Sequence, residues 1–314
     1  MNPVLKALEE YARRLGWGHA SQALLVAVSG GVDSMVLLTA LHQLCQRKAY
    51  QGLRPYTVHF NHRLRDLEIV EEEGRMVMSY SYNLGIPVHY GRWDRPTTKN
   101  VEENARKARY NYFLEAARCV SSKHILTGHH QNDQVETYLM RLIRGTSLRG
   151  MPGIRPSAYR QDVTYHRPLL QVTRQEIEDF AKAYEVPFSH DASNDLDIYF
   201  RNRVRHSYLP QLEKENPKFL DAVSQRQQLL GVSYDLHLEN FQQEASCWLT
   251  KEEERVQLQL QPFVSWSTAK QEIYLHLLFE ELLVPWIPDY KKGLIHELWD
   301  LMTSATRPSG SSDL

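Results

Sequence analysis

Residues 24–34 read Leu-Leu-Val-Ala-Val-Ser-Gly-Gly-Val-Asp-Ser, a short apolar run that breaks into a glycine pair flanked by serines, with an aspartate close behind. Leu24 to Val28 is too short for a helix and shows no alternation, so it reads as a buried strand of a parallel sheet. Gly30 and Gly31 let the chain turn sharply and bring backbone N–H groups close to an anion. The helix expected over Val32 to Leu44 points its positive end at the same spot. Ser29 and Ser34 add hydroxyl donors. Asp33 would repel a bare phosphate unless a divalent cation lies between them. The turn therefore reads as a magnesium–nucleotide site, with Ser29, Gly30, Gly31, Val32, Asp33 and Ser34 around the phosphates. Neither Gly-x-x-x-x-Gly-Lys-Ser/Thr nor Gly-x-Gly-x-x-Gly occurs, which excludes the two commoner phosphate turns.

Apolar runs and helical patterns alternate beyond the turn. Tyr56–Phe60, Pro87–Tyr90 and His124–Thr127 read as strands, and Leu67–Leu84 and Val101–Cys119 as helices. This predicts an α/β fold, a doubly wound, mostly parallel sheet with helices on both faces and functional residues at the carboxyl edge. Asn100 and Glu103 have the spacing of a capping box. Gly150 to Gly153 and the arginine-rich stretch after them read as a long functional loop. A break is expected at Pro210 to Pro217, giving a catalytic domain over 1–212, a smaller, mainly helical domain over 213–306 and a flexible tail over 307–314. Helical segments are expected at 218–249, 268–283 and near 291–302, with a strand-like alternation at Val256–Leu260.

The break coincides with a reversal of charge: residues 1–210 hold 28 Lys/Arg against 22 Asp/Glu, and residues 211–314 hold 9 against 16. From Arg141 to Arg174 there are seven arginines and one acid, Asp162, a footprint suited to a phosphate backbone or to a solvated basic loop. Cys45, Cys119 and Cys247 form no Cys-x-x-Cys pair, which argues against a disulfide framework, a zinc ribbon or an iron–sulfur cluster. Met1 to Gly16 is amphipathic and lacks an apolar core, so neither a signal peptide nor a membrane span is read there, and the expectation is a cytoplasmic protein with no membrane partner.

Ser-Gly-Gly-x-Asp-Ser after a strand resembles the pyrophosphatase loop of the N-type ATP pyrophosphatases, the PP-loop superfamily with its adenine nucleotide alpha hydrolase-like fold. Further segments narrow the resemblance to the tRNA(Ile)-lysidine synthetases over roughly residues 20–212. They are Val58 to Arg65, Asn100 to Tyr110, Thr127 to Thr137, Arg144 to Met151, and Asp191 to Asp195 with Tyr199 to Arg205. The resemblance implies a ligase that uses ATP and Mg2+ to adenylate the wobble cytidine of the isoleucine tRNA with a CAU anticodon. It then joins free L-lysine to that base, and the resulting lysidine switches codon reading from AUG to AUA. Where the family usually carries two adjacent aspartates, this chain has Asn132-Asp133, which leaves Asp133 as the carboxylate.

Candidate roles follow. Asp33, Arg109 and Asp133 are the catalytic candidates, and Asp33 and Asp133 the candidate metal ligands. His129 and Asp133 lie four apart and are expected to share a face. Arg106 and Arg109, three apart, suit a polyphosphate or a surface salt-bridge stripe with Glu102 and Glu103, and Arg109 is preferred. His59 and Asn61, where the second strand ends, are candidates for ATP: Asn61, His62, Arg63 and Arg65 read as a loop rim able to touch adenine or ribose, or equally as a solvated loop. Glu136 is a candidate for the lysine ammonium, with Arg141 or Arg144 as its alternative partners. Arg149, Arg201, Arg203 and Arg205 are candidates for tRNA, the last three beside Tyr199 and Phe200. Another adenylating ligase with a small-molecule acceptor, or a catalytically silent tRNA-binding module, remains an alternative, and a homodimer is left open.

Overall fold

The computed structural model of the chain describes residues 2–94, 99–190, 199–251, 256–283 and 294–303. The chain divides into two compact units, Met1–Met140 with Ile154–Ser224, and Arg141–Gly153 with Gln225–Leu314. The expected break at 212/213 is therefore not where the units divide. The proposed tail and the 191–198 part of the last motif fall outside the described residues.

In the first unit, helix α1 (Pro3–Arg14) precedes β1 (Gln22–Ala27), α2 (Val32–Cys45), β2 (Leu53–Asn61), α3 (Leu67–Asn83) and β3 (Val88–Arg92). Then come α4 (Val101–Cys119), β4 (His124–Leu126), α5 (Gln131–Arg144), β5 (Ser157–Arg160), β6 (Val163–His166) and α6 (Arg174–Ala183). The strands form one sheet in the order β3-β2-β1-β4-β6-β5, parallel except for the β5–β6 pair. Successive side chains of β1 enter opposite cores. Leu24 and Val26 pack with residues of α1, α2, α3 and α6 such as Leu8, Leu37, Val77 and Phe180, whereas Leu25 joins Val58, Ile125 and the α4 residues Phe113 and Leu114. Burial on both faces is why Ala23 to Ala27 of β1 are all apolar, and it gives the doubly wound arrangement that the alternation predicted. Since β1 is followed by β2 on one side and flanked by β4 on the other, the sheet reverses its winding between β1 and β4. A crevice opens there beyond the strand ends.

Two local expectations are corrected. Asn100 does precede α4, but it sits at φ 48°, ψ 44° and makes no side-chain cap, because a capping side chain requires an extended backbone. Glu103 instead pairs with Lys107 at 2.6 Å on the exposed face. The capping box belongs to α6, where Thr173 and Glu176 exchange hydrogen bonds. The stretch read as a continuous loop contains the β5–β6 hairpin. Its outer strand Ser157–Arg160 is largely exposed, so it lacks the apolar signal of an inner strand, and its Arg160 and polar neighbours suit a sheet edge.

After α6 the first unit continues through α7 (Phe200–Arg203), a π-helical turn at Val204–Tyr208, α8 (Leu209–Glu215) and the start of α9 (Phe219–Ala245). The second unit holds the rest of α9, a β7–β8 hairpin (Leu249–Lys251 and Val256–Leu258), α10 (Leu260–Ser265), α11 (Thr268–Leu278) and α12 (Leu294–Thr303). These surround Trp248, Phe263, Tyr274 and Phe279. Segment 141–153 belongs here because the Glu280 carboxylate accepts from the N–H groups of Leu148 and Arg149, each at 2.7 Å, and Leu148 packs on this core. Among the described residues no helix is long and apolar enough to cross a membrane.

Candidate active site

The crevice is floored by the turn after β1. Gly30 adopts φ +97°, a conformation open to glycine, and a Cβ there would lie 2.6 Å from Cγ of Glu73. Gly31 begins α2 with an extended backbone. The Ser34 hydroxyl ties the turn together, accepting from the Ser29 N–H at 3.1 Å and donating to the Gly31 carbonyl at 2.9 Å. The Gly30 carbonyl accepts from the Ser189 N–H at 2.9 Å. Gly128, after β4, passes so close that an added Cβ would meet the Asp33 backbone at 2.9 Å. The two strand ends are thereby locked side by side. The resulting cleft of about 500 Å³ is lined by residues that include Ser29, Gly31, Val32, Asp33, His130 and Glu136, a volume in the range of small-molecule sites.

Asp33 and Glu136 of this lining, and Asp133 beside them, are neutralised within the protein. Asp33 receives both Nη1 contacts of Arg174, at 3.0 and 3.1 Å. Asp133 accepts from Arg201 Nη2 at 2.6 Å and from the His130 N–H at 3.1 Å. Glu136, 1% exposed, accepts from Arg201 Nε at 2.7 Å and from Arg205 Nε and Nη2 at 2.7 and 3.0 Å. His130 Nε2 lies between the aspartates, 3.7 Å from Asp33 and 3.5 Å from Asp133. Burial raises the Asp33 carboxyl above its usual range against the pull of His130 and Arg174, and the Asp133 charge adds to the rise. For Asp133 burial acts in the same direction, but His130, Arg201 and His129 outweigh it and hold that carboxyl below the usual range.

A comparison with protein families matches residues 4–212 to the PP-loop domain. The chain belongs to the PP-loop domain family. Among curated proteins it is similar to the tRNA(Ile)-lysidine synthase of Enterococcus faecalis, 30% identical over 300 residues, 94% of this chain and 63% of that protein. The enzyme of the same name from Streptococcus equi subsp. zooepidemicus is 39% identical over 69% of this chain and 48% of its own length. That from Nitratidesulfovibrio vulgaris is 38% identical over 67% and 60%. The chain thus spans 48–63% of the length of these relatives. Among solved structures, a U34-tRNA thiolase from Methanococcus maripaludis superposes with a TM-score of 0.62 at 15% identity, over 73% of this chain and 78% of that one, which shows a shared fold.

Of the residues singled out in the sequence, Ser29, Gly31, Val32, Asp33, Glu136 and Arg205 line one cleft, and Asp133 and Arg201 adjoin that lining through His130 and Glu136. Others lie apart from its lining. His59 is buried, its Nδ1 2.9 Å from the Val28 carbonyl and its ring stacked on Tyr90, so it braces the strand that feeds the PP-loop. Asn61 donates to the Tyr90 hydroxyl and accepts from the Arg63 N–H. Arg109 lies over Tyr110, with Cζ 5.7 Å from the ring centroid. Arg203 lies over Phe200 at 5.5 Å, and Arg149, in the second unit, stands 3.5 Å from Glu281. His129 bonds to Thr127 Oγ1 at 2.9 Å, and burial drives it down to about 4. His130, not His129, stands between the aspartates: α5 begins at Gln131, so a four-residue helical spacing does not extend back to His129.

Sequence reading missed Arg174 and the part played by Asn132. The Thr173–Glu176 capping box fixes Arg174 at the first position of α6, and Asn132 Oδ1 accepts from the Arg174 N–H at 2.9 Å. Asn132 thus holds the helix whose arginine reaches Asp33. The Thr-x-x-Glu signature was the available signal.

Proposed function

We propose that this chain is the catalytic portion of an ATP-dependent ligase that converts the wobble cytidine of the isoleucine tRNA with a CAU anticodon to lysidine, releasing AMP and pyrophosphate. The reading rests on one observation above the others: a PP-loop whose Asp33 faces Asp133 across His130 at the sheet's winding reversal. The named relatives support the substrate. ATP phosphates would take the N–H groups of the PP-loop and the positive end of α2. The cytidine O2 attacks the α-phosphorus, pyrophosphate departs, and C2 becomes electrophilic. The lysine ε-amine, after giving up a proton, bonds to C2 as the C2–O bond breaks and AMP leaves.

Asp33 and Asp133 offer hard oxygen donors, and among the described residues no cluster of three or more His, Cys, Asp or Glu forms an all-protein cage. Such a pair fits Mg2+, which is commonly held by one or two carboxylates together with substrate phosphates. When bound, the ion would offset phosphate charge beside those carboxylates. Arg174, Arg201 and Arg205 are within the site to meet charge developing on the leaving group. Glu136 is the buried carboxylate for a lysine ammonium, which would compete there with Arg201. Arg203 with Phe200, and Arg149, are positions for the RNA backbone.

The test is incubation with ATP, labelled lysine and unfractionated tRNA, followed by nucleoside analysis. Label in an isoleucine tRNA at its wobble base, with AMP and pyrophosphate formed, is the expected result. Cleavage to ADP and orthophosphate, or label in another acceptor, overturns the reading.

A further inference from the structure

A group of arginines outside the cleft lining gathers around Tyr110 on α4. Arg106 Cζ lies 4.8 Å from the Tyr110 ring centroid and its Nη2 donates to the Tyr110 hydroxyl at 3.2 Å. Arg109 and Arg160, the latter on the outer strand β5, each approach the same ring at 5.7 Å. Tyr165 of β6 packs on Tyr110 with ring centroids 5.2 Å apart. Arg167 follows β6 directly and donates from Nη1 to the Arg155 carbonyl at 2.8 Å.

Two features make this more than a solvated basic face. No acid forms an ion pair with Arg106, Arg109, Arg160 or Arg167 among the described residues, although exposed acids pair readily elsewhere, as Glu103 does with Lys107. Two buried polar atoms of the cluster, Arg167 Nε and the Tyr165 hydroxyl, have no hydrogen-bond partner among the described residues. Both atoms lie sealed beneath the exposed arginines, so the inner end of the cluster is polar and no carboxylate among the described residues neutralises it. Arg106 and Arg160 are exposed and Tyr110 is half-buried, so this surface is open to solvent. Repulsion among four guanidiniums with no carboxylate is relieved best by phosphates spaced along a chain, and exposed arginine on an aromatic face is the chemistry that grips single-stranded nucleic acid.

We infer that Arg106, Arg160 and Arg167, gathered on Tyr110 and Tyr165, form a docking site for the RNA phosphodiester backbone. This rests on the reading of a tRNA as substrate and adds a surface on α4 and the β5–β6 hairpin to the contacts it requires. Arg106 and Arg160 carry the exposed charge, and Arg167 anchors the inner end. Arginine in place of lysine matters here, since its planar head stacks on the tyrosine while donating outward.

The experiment compares tRNA binding by the intact chain and by Arg106→Ala/Arg160→Ala across a salt series, with Arg118→Ala/Lys123→Ala as an equal change of charge at the last turn of α4 and in the segment after it, where both residues are exposed. Thermal unfolding checks the fold of each. The expected result for the first double variant is affinity weakened on the order of tenfold and a salt dependence reduced by about one to two ions, with little change in the control. Lysine at both positions is expected to restore the salt dependence and only part of the affinity. Equal salt slopes for the two alanine variants overturn the assignment while leaving the substrate reading intact, which the lysidine assay tests separately. Weakened ATP binding with unaltered tRNA binding also overturns it, since the cluster would then serve a nucleotide.

Discussion

Gly30→Ala and Gly31→Ala change adjacent residues by the same methyl group, and the geometry of the turn predicts opposite outcomes. At Gly30, φ is +97°, where an L-residue pays roughly 1–3 kcal/mol of backbone strain. The methyl would also lie 2.6 Å from Glu73 Cγ. Glu73 is 7% exposed and held by Arg65 at 2.6 Å. Because Arg65 is partly solvated, displacing that pair adds only about 1–2 kcal/mol. The total, about 2–5 kcal/mol, corresponds to a Tm lower by about 4–20 °C for a domain of this size. At Gly31 the backbone is ordinary, and an added Cβ meets only Ser29 Oγ, at 3.5 Å. The stability cost there is at most about 1 kcal/mol, but the methyl occupies the cleft and weakens nucleotide binding. Calorimetry of both variants, with and without ATP, separates the two effects. Adding Glu73→Ala to Gly30→Ala removes the overlap but not the strain, so the pair should be less destabilising than the sum by about 1 kcal/mol. Equal Tm losses at the two glycines, or a Gly30→Ala chain as stable as the parent, would refute the argument.

Two further outcomes concern titrating groups. Asp33→Asn is expected to cut tRNA-stimulated ATP–pyrophosphate exchange by about 100-fold or more. It should also raise Tm at pH 7: burial holds the Asp33 carboxyl above its usual 3.8, so its effect on stability is favourable below that value and lost as pH rises through the folded value. A gain in Tm that does not shrink as pH falls toward 3.8 would contradict this. His166 is 3% exposed and is driven by burial to about 3, with His124 and Arg167 acting in the same direction. Its folded value lies below the unfolded 6.5, so stability is complete above 6.5 and falls on acidification, by about 2 kcal/mol at pH 5. Lys123 bears on the neighbouring His124, and Tyr11 bonds to His166 Nδ1 at 3.0 Å. His166→Gln should flatten the Tm profile between pH 7 and 5, and an unchanged slope would count against it.

The parts of the fold legible in the sequence were those whose physics is local. β1 could be read because Leu24 to Val26 are buried on both faces, leaving no polar position at its centre to confuse the pattern, and α2 could be read because glycine and serine mark where it begins. The hairpin β5–β6 escaped because an exposed edge strand carries the composition of a loop. The division into units escaped for another reason: Arg141–Gly153 joins the C-terminal unit through the Glu280 carboxylate and two backbone N–H groups, a pairing across 131 residues that no window detects. At the site, Asp133 and Glu136 lie three residues apart on α5, and Glu136 lines the cleft. The partners of their oxygens, Arg201 and Arg205, sit on a distant segment that the sequence shows only as charge beside aromatic residues. Charge composition shows that a residue seeks an anion, but only tertiary structure shows which one.

That pairing bears on what the cleft selects. A buried carboxylate such as Glu136 without a counter-charge is costly, so on the proposed function the cleft needs its arginines parked on its own acids until phosphates arrive. Arg174 on Asp33, Arg201 between Asp133 and Glu136, and Arg205 on Glu136 do this. A ligand that draws an arginine away must leave the carboxylate with another cation, or binding is opposed by the charge it strands. On the proposed function, a triphosphate arriving with a divalent cation would satisfy both sides of the exchange, and an ammonium reaching Glu136 would satisfy the remaining one. A monophosphate offers less charge to attract the guanidiniums and brings no comparable cation for the acids. On the proposed function, the arginine–carboxylate contacts of the cleft would therefore favour a nucleoside triphosphate over a monophosphate, a preference that follows from partner exchange instead of from added contacts.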